Sequence, residues 1–501
     1  MKEIRLICIF GIIGLASSAK ILFANTWQSK SHALTMLPLA ERLHDRGNDV
    51  TMYSLVTSSI GKLGNKIKSI ETLLPDRERF SDTSLVHKLF WFFEMSPVML
   101  DEPHYIGWQY LNSSKDEESL KDILSTCYDL VIVDEMFSTA QAAIAFYLNQ
   151  KCSTKITIFS TTDLFAHVSQ LRALSRNPIT YPNYYLKGYH VSDFSLKSFR
   201  YRLYTVMDVM IEPIFLGYLS NRLVKSAGDL IGTTASQTLL YEKNFMTFID
   251  YPRTYGMPVT KSNEMIYVSE YCSKTKPLDQ EFLKILEDKS SKGTIYVAFG
   301  SIVSWEAGPP EVLQTFVKVF NKLTDYRVIW SYGGPEIKNL KPHIHLSKWT
   351  PQNDILSHPN TVLFFTHGGL KSLKEGICAK TPMLFMPFFA DQPRNAWYAT
   401  YMGIAEAIYK KNVTEVELES KINKVLLSTT MKSKVEKYHR IYLDNIVDPI
   451  DVGAFWAEKS IKFTDSSRKY MSIHGKQLYW MQYLYSEIVI LLSIVFFVVK
   501  S

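Results

Sequence analysis

The stretch "TVLFFTHGGLKSLKEG", residues 361–376, joins an apolar run to a helical pattern through one histidine and two glycines. Its apolar part, Thr361 through Phe365, has the length and the β-branched and aromatic content of a buried strand. The residues after Gly369 have helical spacing. A strand that passes directly into a helix is the repeating element of a parallel α/β sheet, and we therefore expect that class of fold.

The joint between this strand and helix has two interpretations. Glycines let a backbone approach closely, and the free N–H groups and dipole of a helix N-terminus attract anions. Alternatively, Ser372 to Glu375, "SLKE", is a capping box and the glycines only form a turn. A lysine in the first turn, Lys371, opposes the dipole by a few tenths to about 1 kcal/mol unless an anion lies there. Because Lys371 follows His367 by four residues, both side chains can face one ligand.

Alternating strands and helices run through both halves of the chain, which at 501 residues is too long for one ordinary domain. The N-terminal half has strands ILFAN (21–25), VTMYSLV (50–56), YDLVIVD (128–134) and KITIFS (155–160), with helices at 31–46 and 138–148. The C-terminal half has GTIYVAFGS (293–301), RVIWSY (327–332), HIHLSKW (343–349), TVLFFT (361–366) and PMLFMP (382–387), with helices near 310–323 and after 369, 391 and 414. We predict an α/β fold of two facing, doubly wound, Rossmann-like domains, which bind ligands outside the carboxyl ends of their strands.

Both ends of the chain are apolar and indicate a membrane-directed protein. Residues 1–19 have the charged start, apolar core and small final residues of a cleaved signal peptide, with a buried strand or helix as the alternative. Residues 478–499 reach the roughly 20 residues that a transmembrane helix needs, with a buried amphipathic helix as the alternative. Sequons at Asn112 and Asn412 fit lumenal exposure. We expect a single-pass type I membrane protein with lumenal domains.

Composition and motif content exclude several classes of protein. The chain is 46% hydrophobic and 21% charged, which is globular, and its net charge of +7 is too modest and too dispersed to indicate a nucleic-acid partner. It contains no G-x-G-x-x-G dinucleotide motif, no C-x-x-C motif and no D-x-D motif at a strand end. His343 and His345 share a strand face without an evident third ligand, so we expect no metal. After removal of the signal peptide, the four scattered cysteines that remain do not form a disulfide scaffold: Cys127, Cys152, Cys272 and Cys378.

Two stretches interrupt the alternation. Between Arg172 and Tyr255 the periodicity weakens and aromatic residues are dense. This stretch is an insertion with its own small core, or it forms an apolar ligand pocket or a membrane-apposed surface. Residues 271–292 are polar and have no sustained apolar face, so we place the linker between the two domains there.

The segment around the opening stretch resembles a known family. "SKWTPQNDILSHPNTVLFFTHGGLKSLKEGICAKTPMLFMPFFADQPRNA", residues 347–396, resembles the signature of the UDP-glycosyltransferases, specifically the animal membrane-bound, UDP-glucuronosyltransferase-like branch. The motifs W-x-P-Q, T-H-G-G, S-x-x-E, P-x-x-x-D-Q and N-A occur in the order and spacing of that family. The resemblance implies a GT-B fold, in which the C-terminal domain holds the nucleotide sugar.

The resemblance also implies which residues bind the donor. It assigns uracil to Trp349 and Gln352, the diphosphate to Ser301, His367, Gly369 and Ser372, the ribose to Glu375, and the sugar hydroxyls to Asp391 and Gln392. One position departs from the family, which usually has Asn where this chain has Lys371. We favour a phosphate contact for this lysine, and a solvent-facing side chain is the alternative.

The N-terminal half is expected to supply a base. His32 follows the first strand, where a sheet of this type opens its cleft, and it matches the family's catalytic histidine. Asp134, at the end of "YDLVIVD", matches the aspartate that holds the other ring nitrogen; Asp129 is the less favoured partner. A histidine titrates near neutral pH and can take the proton of an acceptor hydroxyl. The aspartate fixes its tautomer and stabilises the imidazolium.

Together these features predict an inverting transferase that moves glucuronic acid, or glucose, from a UDP-sugar to a hydroxyl of a small lipophilic acceptor. The UDP-sugar is a co-substrate, and no cofactor is expected. A noncatalytic membrane protein that binds a nucleotide sugar or a lipophile is the alternative. We place the protein in the endoplasmic reticulum and leave the sugar, the acceptor and homo-oligomerisation open. The expected parts are a signal peptide (1–19), an acceptor-binding domain (20–270), a linker (271–292), a UDP-sugar-binding domain (293–445), C-terminal helices returning toward the N-terminal domain (446–477) and a transmembrane anchor (478–499).

Overall fold

The computed structural model describes most of the chain between residues 18 and 500. The described residues are 18–25, 30–57, 59–61, 63–64, 66–74, 84–94, 96, 101–136, 138–162, 166–172, 174, 197–256, 259–300, 303–411, 413–468, 470–471, 478, 482 and 485–500. Residues 1–17 of the predicted signal peptide, Ser301, and Asn412 of the second sequon lie outside them.

The strands form two sheets, in which all neighbouring strands are parallel. The N-terminal sheet contains β1 (Lys20–Asn25), β2 (Asp49–Val56), β3 (Lys68–Leu73), β4 (Leu130–Asp134), β5 (Lys155–Ser160), β6 (Asn244–Ile249) and β7 (Met265–Tyr267), in the order β3-β2-β1-β4-β5-β6-β7. The C-terminal sheet contains β8 (Thr294–Ala298), β9 (Arg327–Ser331), β10 (Ile344–Ser347), β11 (Thr361–Thr366), β12 (Met383–Phe385) and β13 (Ala405–Ala407), in the order β10-β9-β8-β11-β12-β13. Both orders contain the 3-2-1-4-5-6 arrangement of a Rossmann fold, which confirms the prediction of two doubly wound domains.

The helices of the N-terminal half are α1 (Lys30–Asp45), α2 (Ser84–Phe92), α3 (Asp101–Ser114), α4 (Glu118–Ser125), α5 (Thr139–Cys152), α6 (Ala166–Leu171), α7 (Phe199–Glu212), α8 (Ser220–Leu230) and α9 (Gln237–Lys243). A π-helical segment, Pro213–Leu219, joins α7 to α8. The remaining helices are α10 (Gln280–Leu286), α11 (Pro310–Lys322), α12 (Gln352–Ser357), α13 (Leu370–Ala379), α14 (Gln392–Met402), α15 (Glu415–Leu427), α16 (Thr429–Leu443), α17 (Pro449–Lys462), α18 (Asp465–Arg468) and α19 (Ser486–Lys500). A short 3-10 turn, Trp305–Ala307, precedes α11.

Both faces of each sheet are buried, which is why the strands read as near-continuous apolar runs. In β1, Leu22 packs into one hydrophobic cluster and Phe23 into another on the opposite face. In β11, Phe364 and Phe365 are divided in the same way. Because successive side chains of a strand point to opposite faces, a strand with an apolar residue at every position must be covered by packed elements on both sides.

The stretch 361–376 has the predicted strand–turn–helix form. β11 ends at Thr366, and α13 begins at Leu370 with Gly369 as its N-cap residue. Gly368 has φ of +83°, a left-handed conformation that side-chain-bearing residues rarely adopt. The alternative capping box is wrong, because Ser372 is the third residue of the helix and not its N-cap. The backbone N–H groups of the first turn therefore face the carboxyl ends of the strands.

One helix from the N-terminal half packs into the C-terminal domain. In α2, Trp91 is 2% exposed within the hydrophobic cluster of the C-terminal sheet, and its indole nitrogen donates to the carbonyl of Ser304 at 2.8 Å. The neighbouring Phe90 stacks on Phe389 with ring centroids 3.9 Å apart. These contacts hold the two domains together along one side of the cleft, and the sequence did not predict them.

A second set of contacts joins the domains at the predicted linker. Asp250, just after β6, and Lys374 of α13 form a buried ion pair with an O–N distance of 2.6 Å. Cys272 of the linker forms a disulfide with Cys378 of α13, across 106 residues of sequence. The helix that starts at Leu370 is thus bonded to the N-terminal domain and to the linker as well as to its own sheet.

The C-terminal helix α17 packs on the N-terminal sheet. Arg46 and Glu458 form an ion pair with an N–O distance of 2.7 Å, and a Cβ on Gly453 would lie 2.7 Å from Val268 and 3.1 Å from Leu39. Such close approach of helix to sheet explains the glycine at this position. The second disulfide, between Cys127 and Cys152, lies within the N-terminal domain.

The predicted transmembrane helix at 478–499 is not shown. Its described helical part, α19, has 15 residues, about 22 Å of helix against a hydrocarbon core of about 30 Å. Within the described chain, Phe199–Leu230 is the one helical stretch that is long and apolar enough to cross a membrane, judged by length and composition, and 28% of its apolar window is buried.

Candidate active site

The predicted base and its partner meet at the carboxyl ends of two adjacent strands. Asp134 is the last residue of β4, and His32 lies in the first turn of α1, which follows β1. His32 Nδ1 is 2.7 Å from Asp134 Oδ2. Asp134 is fully buried, whereas the side chain of His32 is 17% exposed. The other ring nitrogen is therefore the one available to a ligand in the cleft.

A threonine that the sequence analysis missed supports this pair. Thr161 Oγ1 lies 3.1 Å from His32 Nδ1 and donates to Asp134 Oδ1 at 3.2 Å. The backbone N–H of Met136 donates to the same carboxylate oxygen at 3.2 Å. Thr161 directly follows β5. Because ligands of such sheets bind beyond the carboxyl ends of the strands, this position in the sequence could have identified Thr161 as a site residue.

The local charges favour a histidine that can accept a proton. Burial lowers the pKa of His32, but the charge and hydrogen bond of Asp134, with a smaller contribution from Asp391, outweigh burial and leave the pKa raised. Hydrogen bonding of Nδ1 to the carboxylate assigns the proton to that nitrogen and leaves Nε2 as the basic atom. The arrangement has the geometry of a histidine base that is oriented by a carboxylate.

In the C-terminal domain, the ring of His367 packs so closely against Gly369 and Gly300 that neither position has room for a side chain. A Cβ on Gly369 would come 2.6 Å from the Nε2 atom of His367, and a Cβ on Gly300 would come 3.0 Å from two atoms of the same ring. Thr366 Oγ1 is 3.2 Å from His367 Nδ1. Burial lowers the pKa of His367 to about 4, so the ring is neutral at pH 7 and can donate one hydrogen bond without carrying a charge.

Four predicted donor-binding residues form one cluster, in which hydrogen bonds join three of them and an ion pair joins the fourth. Gln352 Nε2 donates to a carboxylate oxygen of Glu375 and to Ser372 Oγ, the latter at 3.4 Å. Lys371 Nζ is 3.6 Å from the other carboxylate oxygen of Glu375. The lysine side chain is 42% exposed. Lys371 is thus paired along the helix with the predicted ribose acceptor, an arrangement that neither sequence interpretation anticipated.

Trp349, the predicted uracil contact, lies where the two domains face each other. Its side chain is 71% exposed, and Lys30 Nζ of the N-terminal domain lies 5.1 Å from its ring centroid. Lys30 is the first residue of α1 and precedes His32 by two positions. The aromatic surface and the base therefore border the same cleft.

The predicted sugar-binding pair is buried at the start of α14. Asp391 Oδ2 accepts from Asn395 Nδ2 at 2.7 Å, and burial raises the pKa of Asp391. Gln392 Oε1 accepts from the backbone N–H groups of Phe388 at 2.9 Å and Phe389 at 3.2 Å. The side-chain oxygen of Gln392 thus stabilises the loop that precedes α14.

Metal-binding side chains are not grouped in the described part of the chain. No set of three His, Cys, Asp or Glu residues there is placed to hold a metal ion. His343 Nε2 lies 3.0 Å from the carbonyl of Phe320, a partner that fits a structural histidine. The expectation that the reaction needs no metal stays a prediction.

Comparisons with known proteins identify the family of the chain. Residues 19–501 match the family model described as UDP-glucoronosyl and UDP-glucosyl transferase. UDP-glucuronosyltransferase 1A7 of Homo sapiens is 26% identical over 492 residues, 95% of this chain and 89% of that protein. UDP-glucuronosyltransferase 1A8 of Rattus norvegicus is 25% identical over 516 residues, 99% of this chain and 93% of that protein.

Solved structures support the fold. The glycosyltransferase of kitacinnamycin has a TM-score of 0.57 at 18% identity and covers 88% of this chain and 99% of its own. Phytolacca americana UGT2, solved with UDP-2fluoro-glucose and pterostilbene, has a TM-score of 0.57 at 14% identity and covers 88% of this chain and 100% of its own. The chain belongs to the UDP-glucuronosyl and UDP-glucosyl transferase family and is a UDP-glycosyltransferase.

Proposed function

We propose that the protein transfers glucuronic acid, or glucose, from its UDP-sugar to a hydroxyl of a small lipophilic acceptor, with inversion and with His32 as general base. The observation that carries this proposal is the 2.7 Å contact of His32 Nδ1 with the buried carboxylate of Asp134, at the cleft that Trp349 borders. The names of the similar animal proteins favour glucuronic acid.

In the proposed reaction, the acceptor oxygen attacks the anomeric carbon as the bond from that carbon to the UDP oxygen breaks. His32 Nε2 takes the hydroxyl proton, and Asp134 stabilises the imidazolium that forms. Thr161 holds both side chains in register. Positioning both substrates in one cleft supplies several kcal/mol, roughly, of the rate enhancement.

The leaving diphosphate is proposed to lie at the N-terminus of α13. Free N–H groups and the helix dipole stabilise anions there, and neutral His367 adds a hydrogen bond. Lys371 adds a positive charge near the same end while it is paired with Glu375. Replacing Lys371 by Asn or Ala should weaken UDP binding; unchanged affinity in both variants, measured by calorimetry, would assign the lysine to solvent.

The decisive experiment compares His32→Ala with His44→Gln, a control on the same helix α1. We expect His32→Ala to lose transfer to hydroxyl acceptors while it still binds UDP, and His44→Gln to retain both. Assays with UDP-glucuronate and UDP-glucose in parallel identify the sugar. Full turnover by His32→Ala on phenolic acceptors would reject the base assignment.

Asp134→Asn tests the partner through the pH profile. Asp134 raises the pKa of His32, and the base works only when unprotonated. The low-pH limb of kcat/KM should therefore move to lower pH in Asp134→Asn, with a plateau lower by a factor of about 10² to 10⁴. A limb that stays where the parent has it would contradict the coupling.

We also propose that residues 478–499 anchor the protein in the membrane of the endoplasmic reticulum as a type I protein. The exposed fraction of the apolar side chains of α19 ranges from 49% at Val495 to 81% at Val499. Carbonate extraction of the full chain, compared with a chain that stops after residue 477, is the test. Equal release of both chains into the soluble fraction would reject the anchor.

A further inference from the structure

The helical stretch Phe199–Leu230, which comprises α7, the π-helical segment and α8, has its polar and apolar faces reversed. A helix on the surface of a globular protein normally buries an apolar face and exposes a polar one. Here the side chains that face the protein include Thr205, Glu212 and Ser220, each at most 2% exposed. Six apolar side chains at helical spacing on the opposite face are 46–71% exposed and form the outer stripe: Phe199, Leu203, Met207, Met210, Ile214 and Tyr218.

Hydrogen bonds to the N-terminal domain fix the polar inner face. Glu212 Oε2 accepts from the backbone N–H of His167 at 2.7 Å, and the Ser220 hydroxyl donates to Asp101 Oδ1 of α3 at 3.3 Å. Farther along the same face, Val224 belongs to the hydrophobic cluster of that domain. A rotation of the helix that buried the outer stripe would break these contacts and expose Val224. The outer stripe therefore faces away from the protein.

The outer stripe is long and continuous. From Phe199 to Tyr218 it extends roughly 30 Å at 1.5 Å per residue. Contiguous apolar surface of this kind on a folded protein marks a contact with another molecule or with a membrane. A helix that spans a bilayer is surrounded by lipid, whereas this helix keeps Glu212 and Ser220 against its own domain. The arrangement fits a helix that lies in the plane of a membrane surface.

Basic side chains border the outer stripe at both ends. Lys197 and Arg200 lie at its start, Arg222 and Lys225 follow its end, and all four are exposed. Asp229 is the one exposed acidic side chain among the described residues of this stretch. Four cations against one anion favour a negatively charged partner. A bilayer with anionic headgroups offers that charge together with an apolar layer beneath it.

A second copy of this chain fits the outer stripe less well. Both ends of the stripe are basic, so a two-fold contact through it would bring basic residues of one copy against basic residues of the other. Such like-charge contacts disfavour association. The aromatic residues Phe199 and Tyr218 lie at the two ends, and aromatic side chains concentrate at the boundary between membrane and water.

We infer that the outer stripe lies on an anionic lipid bilayer, with its apolar side chains at the boundary between headgroups and acyl chains and its flanking basic residues against lipid phosphates. This surface is separate from the anchor proposed at 478–499 and does not depend on the proposed sugar transfer. An anchor alone holds a protein at a membrane, whereas this contact also fixes which side of the N-terminal domain faces the lipid.

The test measures contact with lipid in the full chain, because removal of the anchor would itself change membrane binding. The four cysteines that follow the predicted signal peptide form disulfides, so one introduced cysteine can carry a fluorescent dye. Met207→Cys and Met210→Cys place the dye in the outer stripe, and Val416→Cys, 80% exposed on α15, is the matched control. The labelled chains are reconstituted in vesicles of phosphatidylcholine and phosphatidylserine, with or without a spin label on the acyl chains.

We expect spin-labelled lipid to remove at least about half of the dye fluorescence at both stripe positions, because the apolar face of an interfacial helix lies roughly 5–10 Å into the boundary region. The dye at the control position should be nearly unaffected. Equal quenching at stripe and control overturns the inference. Stripe dyes that are shielded from iodide in the water but unaffected by the lipid label also overturn it, and assign the stripe to a second copy or to another part of this chain.

Two further comparisons complete the test. Vesicles of phosphatidylcholine alone should reduce the quenching at Met207→Cys at least about twofold, since the basic residues then lose their anionic partners. Equal quenching in both kinds of vesicle would overturn the preference for anionic lipid. Thermal unfolding of the labelled chains should match that of the parent, because each dye is attached at an exposed position.

The quenching measurement needs no turnover, so its outcome is separate from that of the proposed function. A chain that transfers no sugar but is quenched as expected would reject the proposed function and keep the membrane surface. A chain that transfers sugar without quenching at the outer stripe would do the reverse.

Discussion

The buried ion pair between Asp250 and Lys374 joins the two domains, and its removal gives a quantitative test. Asp250 Oδ1 lies 2.6 Å from Lys374 Nζ, and the two side chains are 3% and 9% exposed. The ammonium also lies 4.6 Å from the ring centroid of Tyr271. Lys374→Met keeps the aliphatic volume and leaves the carboxyl without its partner. Stranding a buried charge in this way costs about 3–5 kcal/mol.

The cost should depend on pH in a definite direction. Burial raises the pKa of Asp250 from 3.8 to about 6, although Lys374 lowers it. A carboxyl with a higher pKa in the folded state binds more protons there, so its contribution to stability falls as pH rises through that window. Without Lys374 the folded pKa rises further, and the loss extends to higher pH. We expect the full destabilisation of Lys374→Met at pH 8 and a smaller one at pH 5.

Thermal unfolding of the full chain in detergent measures both effects. A loss of about 3–5 kcal/mol corresponds to a fall in Tm of roughly 6 to 20 °C for domains of this size. Lys432→Met, at an exposed position on α16, is the control. The double variant Asp250→Asn, Lys374→Met should recover part of the loss, because neither charge is then buried alone. A loss at pH 8 below about 1 kcal/mol, or one equal at both pH values, would refute the reasoning.

Two pairs of substitutions test the site and the domain contact. Gly369→Ala should lower UDP affinity at least about tenfold, because its Cβ would lie 2.6 Å from His367, whereas Gly333→Ala, with no atom within 4 Å, should bind UDP like the parent. Calorimetry that finds both variants equal would contradict the close packing of the ring. Trp91→Ala should lower stability by about 3–5 kcal/mol in thermal unfolding, since Trp91 is 2% exposed. Trp349→Ala, at 71% exposure, should leave Tm nearly unchanged and weaken UDP binding, and the opposite ranking of the two variants would reject this assignment.

Much of the fold was readable from local pattern. Strands buried on both faces appear as continuous apolar runs, and helices between them follow the 3.6-residue period, so the two parallel sheets could be predicted. The positions of His32 and Asp134 could be predicted as well, because His32 follows β1, Asp134 ends the adjacent β4, and both match residues of the family's pattern. Thr161 follows β5 at that edge and was overlooked among other polar loop residues.

The apolar C-terminal segment was not sufficient to identify the membrane-spanning helix. Hydrophobic length predicted a transmembrane helix at 478–499, but the described helix α19 has only 15 residues. The helical stretch Phe199–Leu230, which meets the criteria of length and composition, lies in the region that the sequence analysis left between an insertion, a ligand pocket and a membrane-apposed surface. Composition alone does not distinguish a bilayer from a protein interior as the partner of an apolar helix.

By itself, the sequence determined the two Rossmann-like domains, the family and the strand–glycine–helix form of residues 361–376, because each depends on the order of neighbouring residues. Only the tertiary structure decided what the two lysines of that stretch do. Lys371 pairs with Glu375 on its own helix, and Lys374 pairs with Asp250, 124 residues away. Both are lysines in the same helix, and nothing local distinguishes them. Their roles differ because the folded chain brings a buried carboxylate to one and leaves the other at the edge of the cleft.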